Sequence, residues 1–139
     1  MKVKTLDGIE YEWKISGKTS DRSTSNLHQI AKSLLRKKYP NVPFYEEIPI
    51  KIESRKKLFL DFYIPNFTLA IEVNGEQHYT HSALFHKTKM DFLKAICNDT
   101  KKRMWCEINN IDLIVLKFDE VDKWDKIIYR IYRKKRIDI

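Results

Sequence analysis

The chain has 139 residues, 42% of them hydrophobic and 12% aromatic, with only three glycines and four prolines. That balance excludes a disordered, linker-rich or low-complexity protein, and the length suffices for one domain burying roughly two-thirds of its extended surface. Twenty-seven Lys and Arg against nineteen Asp and Glu leave a formal charge of +8, which points to a polyanionic partner, most simply nucleic acid.

The N-terminal MKVKTLDGIEYEWK has no apolar run, so neither a signal peptide nor a transmembrane helix is expected, and the natural reading is a cytoplasmic protein without a membrane partner. Residues 1–15 alternate as a short strand or hairpin, and the polar stretch 17–25 offers serine N-caps. In NLHQIAKSLLRKKYP, Leu27, Ile30, Ala31, Leu34 and Leu35 recur at helical spacing, and Pro40 ends the helix. Residues 43–52 read as a strand in which Pro49 marks an edge or an irregularity.

ESRKK is a charged turn before the strand LFLDFYI (58–64), and PNF is a turn before the strand TLAIEV (68–73). NGEQHYTHS reads as a loop in which Gly75 suits a positive φ. A helix over 87–109 follows, with Phe92, Leu93, Ile96, Cys97, Met104, Trp105 and Ile108 as its apolar stripe. IDLIVLKF (111–118) has the nearly continuous apolar character of a strand buried on both faces. VDKWDKIIYRIYRKKR closes the chain as a basic amphipathic helix. It is either a solvated face with Ile and Tyr turned inward or a strip that contacts phosphates.

The expected architecture is a single α/β domain, a mixed sheet of about four strands flanked by helices in the order α-β-β-β-α-β-α. Residues 26–118 would form its core and 119–139 a basic C-terminal helix. Cys97 and Cys106 do not share a helix face and form no CxxC pair, so both read as reduced, buried thiols. With four histidines, they also lack the spacing of a zinc site.

Function is concentrated in Leu58 to Tyr79. Asp61 interrupts LFL-D-FYI and Glu72 interrupts LAI-E-V, and a carboxylate among apolar side chains is costly unless paired, hydrogen-bonded or metal-bound. Asn74, Gln77 and His78 follow closely, which suggests a site for a hard cation.

A strand carrying Asp, a turn, and a strand running into Glu-x-Asn-Gly-Glu-Gln-His-Tyr resembles the PD-(D/E)XK nuclease superfamily. The nearest likeness is to its small phage homing-endonuclease-like and very-short-patch-repair-like branch. The resemblance spans Leu27 to about Phe118. It implies a restriction-endonuclease-like fold, with Asp61 as the first acid and Glu72 as the second. Asn74 stands where the family has lysine. The family's leading glutamate corresponds to Glu46 or Glu47. On alternation one faces the site and the other solvent, with Glu47 favoured for the site. The downstream helix acid resembles Asp99, with Lys102 one turn later, although a solvated Asp99 paired locally to Lys102 is the plainer alternative. The histidine of the repair branch resembles His78.

These likenesses imply a Mg²⁺-dependent deoxyribonuclease, with Mn²⁺ able to substitute, acting on double-stranded DNA in a phage or mobile-element setting. Asp61 and Glu72 would hold the metal, with the Val73 carbonyl as third ligand. The work of the absent lysine would fall to His78, Gln77 or Lys102, with His best suited as a base near neutral pH. A double-strand cut would call for a homo-oligomer. The alternatives are a non-catalytic DNA-binding module of the same fold and an RNA-directed nuclease.

Overall fold

The computed structural model describes residues 1–15, 25–75 and 89–137; the side chain of residue 132 and those beyond 133 are not described. The expectations for the polar stretch 17–25 and for the loop after Gly75 therefore lie almost entirely outside the described residues. A hairpin opens the chain, β1 (Lys2–Lys4) with β2 (Glu10–Glu12), paired antiparallel. Helix α1 (Asn26–Lys38) starts where the Ser25 hydroxyl accepts a hydrogen bond from the His28 N–H at 3.1 Å, satisfying one of the donors a helix start leaves open. It ends at Tyr39, the residue before Pro40.

β3 (Tyr45–Glu53), β4 (Lys56–Ile64) and β5 (Leu69–Asn74) form an antiparallel meander, and β6 (Asp112–Lys117) joins β5 in parallel after the crossover helix α2 (Lys89–Ile108). Pro49 is tolerated because β3 is an outer strand of the order β3-β4-β5-β6. The β4–β5 turn is a single 3-10 turn over Pro65–Phe67, closed by Thr68 at φ 47°. A second 3-10 turn at Phe118–Glu120 leads into α3 (Val121–Ile137).

The mixed four-stranded sheet thus has helices on both faces, as sequence order leads one to expect. α1 and α3 cover one face over Phe62, Ile64, Leu69, Ile71 and Leu116, with Trp124 and Ile128 driven in from α3. The β1–β2 hairpin and α2 cover the other, over Ile48, Ile50, Ile52, Leu60 and Ala70. Trp13 from the hairpin meets Tyr63 edge-on at 4.7 Å and Trp105 of α2 at 5.2 Å between ring centroids. Truncating Trp105 to alanine is expected to cost about 3–5 kcal/mol, so this cluster is what fixes α2 over the sheet.

Several sequence expectations need correction. The Cys106 thiol is buried, and burial followed by the nearby Glu72 charge pushes it up to about 12, but Cys97 is exposed. The α2 stripe is not one inward face: Leu93, Ile96, Cys97, Met104 and Ile108 are exposed, and Trp105 and Cys106 supply the buried contact. A periodic stripe identifies a helix face without saying which way that face turns. β6 is only half-buried over Leu113–Val115 because it is an outer strand, and Tyr129 of α3 points outward. Among the described residues, no helix is long and apolar enough to cross a membrane.

Candidate active site

Asp61 sits mid-strand on β4. The β3–β4 pairs Glu46↔Phe62 and Ile48↔Leu60 bracket it and set Glu47 directly across on one side. The β4–β5 pair Phe62↔Ile71, continued by one step, sets Glu72 across on the other. Glu47, Asp61 and Glu72 therefore occupy facing positions on three adjacent strands, with Asp61 and Glu72 close enough to interact.

The strands change phase at these positions. Leu58 and Leu60 pack on the α2 face, yet Phe62 and Ile64 pack under α1 and α3. Likewise Ile48, Ile50 and Ile52 face α2, while Glu46 reaches α1. Unbroken alternation would keep residues two apart on one face, so the break falls at Glu47 and Asp61. Glu47 takes φ 48°, a left-handed conformation that costs a non-glycine residue on the order of 1 kcal/mol or more. One of its carboxylate oxygens is buried.

The half-buried Asp61 is tied to β5 through Oδ2, which accepts the Val73 N–H at 2.8 Å. Glu72 is only 6% exposed. Burial pushes its carboxyl well above the usual range, the neighbouring Asp61 carboxylate pushes it further, and Lys102 partly opposes both. Lys102 Nζ lies 3.2 Å from Glu72 Oε1. The two form an ion pair in which Glu72 Oε1 is itself buried.

Asn74 follows Glu72 on the same face. Both line a cavity of about 10 Å³, the room of one water molecule, together with Asp99, Lys102 and Arg103 of α2. Lys102 thus reaches from the helix into the space beside Asn74, the strand position where the lysine of the resembled family would stand. Polar ties on the sheet side of α2 hold this placement. Lys56 Nζ donates to Asn98 Oδ1 at 2.7 Å, Lys101 pairs with Glu53 at 2.7 Å, and Asn109 Nδ2 donates to the Lys4 carbonyl at 3.0 Å.

The structure therefore brings Asp61, Glu72, Asn74, Asp99 and Lys102 together and sets Glu47 across from Asp61 on β3. Val73 contributes its N–H to Asp61, while its side chain packs on the α1 and α3 side. His78 and Gln77 lie outside the described residues.

Glu46 departs from its expected solvent role. His28 Nε2 lies 3.0 Å from its Oε1, and Lys32 Nζ 2.9 Å from its Oε2. Burial alone would raise the Glu46 carboxyl, but the contacts from Lys32 and His28 outweigh it and hold it below its ordinary value. His28 is buried and stacks on Phe62 with centroids 4.4 Å apart. The sequence signal for this clamp was the spacing of His28 and Lys32, one helical turn apart. Arg103 was also missed, although it follows Lys102 directly.

Among the described residues, no group of three His, Cys, Asp or Glu side chains is gathered to hold a metal ion. Asp61 and Glu72 nevertheless supply what a hard cation takes. They are two adjoining carboxylates, one of them desolvated.

No family model matches the chain. It is 38% identical over 65 residues to uncharacterized protein 307L of invertebrate iridescent virus 6, a match covering 47% of this chain and 33% of that protein. It is 29% identical over 104 residues to uncharacterized protein 033L of invertebrate iridescent virus 3, covering 73% of this chain and 52% of that protein. The chain thus spans about a third of one of these viral relatives and about half of the other. No solved structure matches it.

Proposed function

We propose that the chain is a metal-dependent endonuclease of the PD-(D/E)XK kind, hydrolysing phosphodiester bonds of double-stranded DNA on a restriction-endonuclease-like sheet. The observation that carries this reading is the interacting carboxylate pair Asp61 and Glu72 on adjacent strands, with Lys102 at 3.2 Å from Glu72. The formal charge of +8 favours a polyanionic substrate.

Asp61 and Glu72 would hold Mg²⁺, which when bound supplies Lewis acidity and an ionised water. The tie from Val73 keeps Asp61 turned toward β5, so both carboxylates face one point. Lys102 offers a fixed positive charge beside Glu72, suited to a phosphate oxygen or to orienting a water. Glu47 adds a third acid across from Asp61 on β3. Cutting both strands requires two copies of such a site, hence a symmetric assembly.

The test is relaxation of supercoiled plasmid in Mg²⁺ or Mn²⁺ by the wild type, Asp61→Ala and Glu72→Ala. The proposal expects cleavage by the wild type and loss in both variants, and equal cutting by all three overturns the site assignment. Because Lys102 partly neutralises Glu72 without any metal, a non-catalytic DNA-binding module is the second reading. It gives salt-dependent binding with no cutting in either metal. Preferential cleavage of structured RNA over duplex DNA would replace the DNA substrate with RNA.

A further inference from the structure

Helix α2 is inverted. At about 100° per residue, Met90, Leu93, Cys97, Met104 and Ile108 fall along one line on the side away from the sheet. Met90 is 68% exposed, and Leu93, Met104 and Ile108 are each 48% exposed. The sheet side of the same helix is anchored by Asn98, Lys102 and Asn109 around the Trp105 contact. Among the described residues, five of the nine exposed large hydrophobic side chains belong to this helix. The line extends some 18 residues at about 1.5 Å rise per residue, long enough to run beside a partner helix.

The charges beside the stripe decide what fits it. Lys94 and Lys101 flank one side, and Lys89 and Arg103 the other, with Glu107 the acid among the flanking positions. Lys101 is already engaged by Glu53, whereas Lys89, Lys94 and Arg103 are exposed. A parallel second copy would set Lys89 against Lys94, and an antiparallel one would set Lys94 against Lys101 while bringing Lys89 beside Glu107. Like charges meet in both arrangements. We infer that the outer face of α2 docks an amphipathic helix of another protein, one whose apolar edge lies along Met90 to Ile108 between acidic flanks. This inference is independent of the nuclease reading, because the stripe faces away from Asp61 and Glu72.

The experiment uses the full chain and two labelled designed helices of about three heptads, identical in their Leu edge but flanked by Glu in one and Lys in the other. Fluorescence anisotropy is expected to show the Glu-flanked helix binding with Kd on the order of 10 μM, weakening as salt is raised, and the Lys-flanked helix binding at least about tenfold more weakly. Leu93→Glu with Met104→Glu should lower affinity for the acidic helix by about tenfold or more with an unchanged circular dichroism spectrum, both positions being half-exposed. Lys89→Glu with Lys94→Glu should reverse the preference between the two helices. Equal binding of both helices, or of neither, overturns the inference. So does a dimer of the chain, or flotation on anionic phosphatidylserine vesicles, that the Leu93 and Met104 pair of substitutions abolishes.

Discussion

Glu47 and Asp61 stand opposite each other at the step where β3 and β4 both change which face of the sheet their apolar residues enter. Glu47 accommodates that step with φ 48°. The strained residue has no easy way to relax, because its neighbours are fixed on opposite sides. Glu46 is clamped to α1 by His28 and Lys32, and Ile48 is fully buried under α2. Strain held this way across from Asp61 is characteristic of sites where geometry is kept at the expense of stability.

Glycine at this position adopts φ 48° without penalty. Glu47→Gly is therefore expected to unfold in urea at an equal or higher midpoint, with a gain of up to about 1 kcal/mol. Plasmid cutting should fall in the same variant, which separates the strain from the function. A clear loss of stability would mean that Glu47 contributes more through its contacts than its backbone costs.

The parts of this fold legible in the sequence are those set by short-range chemistry. Ser25 before a helical pattern, Pro40 after it and Pro-Asn-Phe between two apolar runs each act within a few residues. Asp61 and Glu72 stood out because an acid within an apolar run is anomalous wherever the strand lies. The choice between Glu46 and Glu47 rested on alternation alone, and alternation assumes an unbroken strand. Glu47 lies across from Asp61 in register, but Glu46 turns to His28 and Lys32 rather than to solvent, and strand periodicity carries no trace of a helix packed above it. The inversion of α2 was hidden for a related reason, since Leu93, Met104 and Ile108 have the period of a buried face and nothing local states that the sheet lies opposite. Lys102 was visible as a candidate, yet its place beside Glu72 depends on the crossover and the Trp105 contact.

Lys102 lies 3.2 Å from Glu72, and its removal should be felt in cleavage before stability. Lys102→Ala is expected to lower the nicking rate by roughly 10²–10³-fold, in the range seen on removing one stabilising charge or donor. Its melting temperature should stay close to wild type in Mg²⁺. Because Asn74 lines the same cavity, Asn74→Lys in the Lys102→Ala background is expected to restore part of the rate. Full activity of Lys102→Ala in a time-resolved plasmid assay would remove this residue from the mechanism.

The Glu46 clamp makes an acid-side expectation. Its carboxyl lies below the ordinary value of 4.5, so the folded chain binds that proton more weakly than the unfolded chain. The contribution is present above the ordinary carboxylate range and is lost as pH falls through 4.5 toward the depressed value. Glu46→Gln should cost about 1–3 kcal/mol at neutral pH, and its deficit relative to wild type should narrow on acidification. A deficit that is constant with pH, measured by denaturant melts, would show that the carboxylate charge is not what holds α1 to β3.

Glu72 carries the opposite sign. Its carboxyl is raised by burial and then by Asp61, so the folded chain binds this proton more tightly than the unfolded chain. The stabilising contribution is complete below the ordinary value of 4.5 and is lost as pH rises through the raised value. In chelator at neutral pH, Glu72→Gln keeps the shape and removes the desolvated charge, so it should be more stable than wild type by about 1 kcal/mol or more. Lys102 loses its counter-ion in this variant but retains access to solvent, which limits the offset. Lowering the pH should close the gap by protonating wild-type Glu72. Adding Mn²⁺ should close it from the other direction, by binding the folded wild type and not the variant. If the variant is less stable at neutral pH and Mn²⁺ raises both melting temperatures equally, Glu72 is a plain partner of Lys102. Stabilisation of the wild type alone by the metal would mark Asp61 and Glu72 as a cation site whose empty form is electrostatically strained.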